Sequence, residues 1–286
     1  MNSMKDKRVI ITGPTSGVGK EIAMQLAALG AEIILACRDI EKGNQTSTEI
    51  TRRTGSTKLV VMQMDASSQK SIREFAREFR KKYRRLDVLI NNAAGNRGTL
   101  PKINSVDGIE LTFATNVLGY FLLTQELLDM LKKSAPARIV NVASTYASDL
   151  DLDDLQFERR PFESFKAYAQ SKACNRLFTW ALARRLDGSG ATVNAMTPGL
   201  ITETGLYRNA TPELIGRLSQ YSGGRTSAQG AETAVWLASD SEVEGLSDKF
   251  FEDRKELPCE FRNKESEEKL WQICKELVST TDSSVS

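Results

Sequence analysis

Six short apolar runs, Arg8–Thr12, Glu32–Ala36, Lys58–Gln63, Leu86–Asn91, Ala137–Val142 and Ala191–Met196, are separated by longer stretches with helical spacing. Runs this short and this apolar read as strands buried on both faces, and strand alternating with helix predicts a parallel sheet with helices on each side. In such an α/β sheet, ligands gather beyond the carboxyl ends of the strands, so the residues just after each run are where chemistry is expected. No internal repeat or long linker interrupts the pattern, and the 286 residues are read as one domain. The periodicity weakens from about Leu200 to Ser227, where Gly, Thr, Asn and Pro are interleaved with Leu206, Tyr207, Leu214 and Leu218. That stretch is expected to form a substrate lid. A charged extension over 253–286 follows, amphipathic around Leu270 to Leu277 and expected to fray at its end.

Composition narrows the chemistry more than it narrows the fold. The formal charge of +2 is what remains of 39 basic and 37 acidic side chains spread along the chain, so nothing calls for nucleic acid or an anionic membrane. Cys37, Cys174, Cys259 and Cys274 lie far apart, which supports neither a disulfide framework nor a zinc knuckle and favours a reducing, cytoplasmic setting. No apolar run approaches the roughly 20 residues of a transmembrane span, although peripheral association with a membrane stays open. The chain contains no histidine. Imidazole-based triads, histidine metal sites and imidazole acid/base catalysis are thereby excluded, no metal is expected, and proton chemistry must rest on Tyr, Lys, Cys or carboxylates.

Immediately after the first strand stands Thr12-Gly13-Pro14-Thr15-Ser16-Gly17-Val18-Gly19-Lys20, followed by the apolar positions Ile22, Leu26 and Leu29. Glycines between a strand and a helix permit a tight turn and let backbone N–H groups approach a pyrophosphate at a helix N-terminus. Gly13, Thr15, Ser16, Gly17, Val18 and Gly19 are therefore candidate cofactor contacts. The second strand ends Ala36-Cys37-Arg38-Asp39, where an acidic side chain would ordinarily receive the ribose hydroxyls of NAD. Cys37 occupies that spot with Arg38 beside it, and a guanidinium pairs with a 2′-phosphate, so NADP(H) is expected over NAD(H). The competing use of Arg38 is a surface pair with Asp39 or Glu41. After the third strand, Asp65 is placed to accept an adenine amino group, unless it caps the following helix; Ser67 or Ser68 could also cap it.

Strand four runs into Asn91-Asn92-Ala93-Ala94-Gly95, small residues suited to passing close to a flat ligand. Asn116 falls in the apolar helical stretch Leu111 to Leu131, either as a structural hydrogen-bonder or as part of a polar relay. Strand five ends Asn141-Val142-Ala143-Ser144, which puts Ser144 at the mouth of the sheet. Tyr168 and Lys172 lie four apart on one helical face, and of the six tyrosines only Tyr168 has lysine at that offset. A free phenol has a pKa of about 10, and bringing it near 7 takes roughly 4 kcal/mol of preferential phenolate stabilisation. An ammonium about 4 Å away at an effective dielectric of about 20 supplies a contribution of that size.

Taken in order, the glycine turn, Asn-Asn-Ala, Asn116, Ser144, Tyr168, Lys172 and Pro198-Gly199 resemble the motifs of the short-chain dehydrogenase/reductase superfamily over roughly residues 7 to 250. Ala36 to Asp39, Asp151 to Gln156, Ala231 to Asp240 and Lys249 to Asp253 are similar to its retinol dehydrogenase-like branch. The resemblance implies a single Rossmann-type doubly wound sheet of about seven strands, and hydride exchange at a nicotinamide with lipophilic aldehydes, ketones or alcohols. It implies that Tyr168 protonates the carbonyl oxygen, Ser144 hydrogen-bonds it, Lys172 also contacts the nicotinamide ribose and Asn116 supports a water relay. Further cofactor contacts are implied at Ala66, Asn92, Ala93 and Ala94, at Tyr168 and Lys172 themselves, and at Pro198, Gly199, Ile201 and Thr202. The chain departs from the family pattern at Ala94, inserted before Gly95, at Ala143, where a serine often stands, and in having no membrane segment before the first strand. A homo-oligomer through the helices around Asn116 and Tyr168 is a further possibility. Two other readings stay open: a catalytically silent NADP(H)-binding regulator or scaffold, and, more remotely, a light-dependent pigment reductase.

Overall fold

The computed structural model describes residues 3–279 apart from 203, 204, 206–208, 210, 214, 215 and 217–222. Strands β1 (Arg8–Thr12), β2 (Glu32–Cys37), β3 (Leu59–Gln63), β4 (Val88–Asn91), β5 (Ala137–Val142), β6 (Ala191–Met196), β7 (Phe250–Glu252) and β8 (Lys255–Leu257) form one sheet in the order β3-β2-β1-β4-β5-β6-β7-β8. The first seven run parallel, and the sheet is doubly wound with its switch between β1 and β4. Both faces of these strands are apolar because both are covered. Ile10, Ile34, Leu89, Ile139 and Val193 face one core, while Val9, Ile11, Ile33, Leu35, Ile90 and Val140 face the other.

β8 is one strand more than the expected seven, and it alone runs antiparallel. Asp253 and Arg254 both adopt positive φ, 49° and 61°, which closes a two-residue hairpin back onto β7. Its Lys-Glu-Leu sequence carries no apolar alternation and so gave no strand signal.

The first core is roofed by α3 (Gln69–Lys82), a continuous helix made of α4 (Leu111–Phe113), a π turn (Ala114–Leu118) and α5 (Gly119–Lys133), then α6 (Ser164–Leu186) and the C-terminal helix α8 (Lys264–Ser279). The second is roofed by α1 (Gly17–Ala28), α2 (Ile40–Thr54) and α7 (Ser227–Ser239). The amphipathic tail thus becomes part of the body. Trp271 of α8 packs edge-on against Phe121 at 5.0 Å and stacks on Phe178 at 6.0 Å. Its neighbour Glu267 pairs with Arg184, so α8 lies across the outer side of α5 and α6. No described helix is long and apolar enough to cross a membrane.

Candidate active site

A cleft of about 1320 Å³ runs along the carboxyl ends of the strands. It starts at the glycine turn, where Gly13 and Gly17 have positive φ (64° and 53°). A Cβ on Gly19 would collide with Asn92 Nδ2 and Gly13 O, so only glycine lets α1 sit this close to the loop after β4. Sequence reasoning missed the pin that joins these two loops. The buried Thr12 hydroxyl accepts from Asn92 N and Ala93 N, both at 2.9 Å, and Asn92 Nδ2 donates to Thr12 O and Gly13 O.

The start of α1 is chemically open. Asp39 caps α2 and Ser68 caps α3, whereas Ser16 makes no side-chain cap and the first turn of α1 holds no acidic residue. Its leading N–H groups and positive helix end therefore face the cleft with no acid of their own to meet them, the arrangement a pyrophosphate requires. Farther along, Arg38 lines the wall and its guanidinium has no ion-pair partner among the described residues. Asp39 is engaged elsewhere: it accepts Lys42 N at 3.1 Å and lies 3.6 Å from Lys42 Nζ, and that backbone bond above all holds its carboxyl below the usual range. Asp65 Oδ1 accepts from Ser67 N and Oγ, while Ser68, not Asp65, caps α3.

At the chemical end, Ser144, Tyr168 and Lys172 open into the same cleft. Ser144 Oγ accepts Tyr146 N at 3.0 Å, and among the described residues nothing accepts its proton. Lys172 Nζ lies 5.5 Å from the centroid of the Tyr168 ring and donates to Val142 O at 2.8 Å. Complete burial pushes its amine down to about 7. The ammonium that the sequence argument takes as given is thus only one of two forms near neutrality in the free protein. Buried Tyr120, whose hydroxyl reaches Val142 O and whose phenol burial drives well above its ordinary range, closes the space behind Lys172.

Asn116 does not line the cleft. It is fully buried in the π turn, with Oδ1 accepting Gly95 N at 2.8 Å and Nδ2 donating to Gly95 O and Ser171 Oγ, each at 3.0 Å. Since Ser171 Oγ donates to Tyr168 O, the amide ties the loop after β4 to the tyrosine helix. Of the two uses left open for its side chain, the geometry displays the structural one.

Ala66, Ala93, Ala94, Pro198, Gly199 and Ile201 line the cleft with the other expected contacts, and Thr202 does not. Much of the expected lid, including Leu206, Tyr207, Leu214 and Leu218, lies outside the described residues. Its described Asn209 accepts Thr99 N at 2.8 Å through its carbonyl and lines the cleft. Tyr146, Phe165, Leu111 and Asn96 form a wall that the sequence did not single out. Tyr146 was legible as the residue two past Ser144, and its ring stacks on Tyr168 at 6.4 Å.

A dinucleotide cradle joined to a Ser, Tyr and Lys cluster is the arrangement the sequence motifs anticipate, and the profile described as short chain dehydrogenase matches residues 7–214. The chain belongs to the short-chain dehydrogenase family. It is retinol dehydrogenase-like within it. Retinol dehydrogenase 12 of Mus musculus is 40% identical over 279 residues, covering 95% of this chain and 86% of that protein. Retinol dehydrogenase 14 of Homo sapiens is 38% identical over 296 residues, covering 96% and 87%. Among solved structures, a protein of Mycobacterium paratuberculosis superposes with a TM-score of 0.77 at 30% identity, covering 98% of this chain and 96% of that one. The Pseudomonas aeruginosa RhlG/NADP active-site complex gives 0.71 at 27% identity, covering 87% and 95%.

Proposed function

We propose that this short-chain dehydrogenase interconverts lipophilic aldehydes or ketones and their alcohols, with NADP(H) preferred over NAD(H). The observation that carries the reading is the continuity of one cleft from Arg38, past the uncapped start of α1, to Ser144, Tyr168 and Lys172. When bound in this cleft, a nicotinamide would supply the hydride chemistry. Gly13 to Gly19 would hold the pyrophosphate, Arg38 with Lys42 nearby the 2′-phosphate, and the free oxygen of Asp65 the adenine amino group.

At the reacting end, the Ser144 hydroxyl donates to the substrate oxygen and so fixes it beside the phenol. Tyr168 delivers the proton to that oxygen in reduction and removes it in oxidation. A charged Lys172, its Nζ 5.5 Å from the centroid of the Tyr168 ring, favours the phenolate over the neutral phenol. The apolar wall of Leu111, Tyr146, Phe165 and Leu200 supports a lipophilic substrate, as do relatives named retinol dehydrogenases. The RhlG complex with NADP, at 27% identity, supports the cofactor assignment alongside Arg38. Four free cysteines favour work in a reducing, cytoplasmic compartment.

The deciding experiment follows oxidation of NADPH and of NADH against retinal, a steroid ketone, a quinone and a medium-chain aldehyde. Turnover of at least one carbonyl with NADPH favoured is expected. Tight NADPH binding with no turnover of any member would instead make the chain a nucleotide-binding regulator.

A further inference from the structure

Two basic side chains on successive turns of α6 grip the chain where it leaves β5. Lys172 Nζ donates to Val142 O at 2.8 Å, and Arg176 Nη2 donates to Ser144 O at 2.6 Å. Four residues along a helix rise about 6 Å, and two along an extended chain advance about 6.5 Å, so helix and strand end run in step. Carbonyls two apart on an extended chain also point the same way, which brings both within reach of one helical face.

Arg176 is a costly residue for its surroundings. It is 2% exposed, its guanidinium carbon sits 4.1 Å from the Phe250 ring centroid and 5.3 Å from that of Phe261, and its Nε has no acceptor among the described residues. Burial lowers its pKa from the ordinary arginine range, and the one carboxylate it pairs with among the described residues, Glu260 at 3.6 Å, is exposed. Packing alone at such a position is satisfied by leucine or methionine. Beyond its pair with the exposed Glu260, what the guanidinium adds is the bond to Ser144 O.

That bond falls where the sheet lets go. Ala143 N, bonded to Met196 O at 2.8 Å, makes the last short ladder contact, and Thr145 N reaches only the Thr197 hydroxyl at 3.4 Å. The peptide between them carries Ser144, and its carbonyl is held from α6, the helix that also carries Tyr168 and Lys172.

We propose that Arg176 is a positioning residue for Ser144: by anchoring the serine's carbonyl to α6, it fixes the serine hydroxyl relative to the Tyr168 phenol. The proposal rests on the oxidoreductase reading above. A misplacement of about 1 Å at a reacting group can lower a rate by about a hundredfold, so a substantial effect on turnover follows from losing one tether.

The test is a double-mutant cycle at saturating NADPH with the best carbonyl of the panel, using Ser144→Ala, Arg176→Met, Arg176→Lys and the combinations of each with Ser144→Ala. Arg176→Met is expected to lower kcat by about tenfold or more while NADPH affinity stays within about twofold, and Arg176→Lys to recover part of the loss. In the Ser144→Ala background either Arg176 change is expected to add less than about twofold, because the group it positions is gone. Full additivity, or a loss confined to KM or to cofactor binding, would overturn the proposal. If Arg176→Met does not fold, the Arg176→Lys cycle carries the same criterion. A Ser144→Ala enzyme with normal kcat would remove the underlying reading itself, whereas an impaired one with additive Arg176 effects removes only the positioning role.

Discussion

Replacing Lys172 with methionine should abolish turnover and yet stabilise the free protein at mildly acidic pH. The amine is fully buried, and burial moves it from 10.5 down to about 7. At about 1.4 kcal/mol per pH unit, keeping the charged form buried costs about 5 kcal/mol. Below pH 7, folded and unfolded chains both hold the proton and that penalty is fully present. Between about 7 and 10.5 the unfolded chain binds a proton the folded chain has released, so stability rises with pH, by about 3 kcal/mol from pH 6 to pH 9. Methionine removes the charge but leaves Val142 O without its 2.8 Å donor, a loss of about 1–3 kcal/mol. Lys172→Met should therefore be more stable than wild type by about 2–4 kcal/mol at pH 6 and nearly equal to it at pH 9. Urea denaturation of the cofactor-free protein at both pH values measures the difference. The absence of histidine helps, since no imidazole titrates across the window. A mutant no more stable than wild type at pH 6, or an advantage that does not shrink by pH 9, would show that Lys172 is not held in an environment hostile to its charge.

Tyr168→Phe should lower kcat by about a hundredfold or more while leaving the NADPH dissociation constant nearly unchanged, as read by turnover and by fluorescence titration. Arg38→Gln should raise the KM for NADPH by about 10- to 100-fold with little change for NADH, because one charge-assisted contact is lost; Cys37→Asp should shift preference the same way, and a wild type that already prefers NADH would defeat both. Gly19→Ala forces a methyl into Asn92 Nδ2 and Gly13 O. Calorimetry should show weakened binding of both cofactors together with destabilisation of about 1–3 kcal/mol.

What the sequence revealed and what it hid differ by a physical rule. The first six strands were legible because burial on both faces demands continuous apolar runs, and β7, three residues long, could be anticipated only through the family resemblance. That Ser144, Tyr168 and Lys172 meet in one cleft was legible because Ser144 follows a strand end and the other two lie four apart on one helical face, in a chain whose lack of histidine leaves few side chains fit for proton transfer. Thr12, Asn116 and Arg176 act on backbone carbonyls and N–H groups, and almost any donor or acceptor within reach can do that. Their roles therefore depend on which strand end a given helical turn faces, which local pattern does not encode. Arg176 makes the point most sharply. In the sequence it is one polar residue on a long helix, four past the lysine, and it gains meaning only when Phe250 arrives from 74 positions away to cover it and Ser144 O turns toward it. If the cycle at Ser144 is non-additive, the reacting groups and the element that aligns them share one rigid reference, α6, and the precision of the site belongs to the packing of that helix against the end of β5.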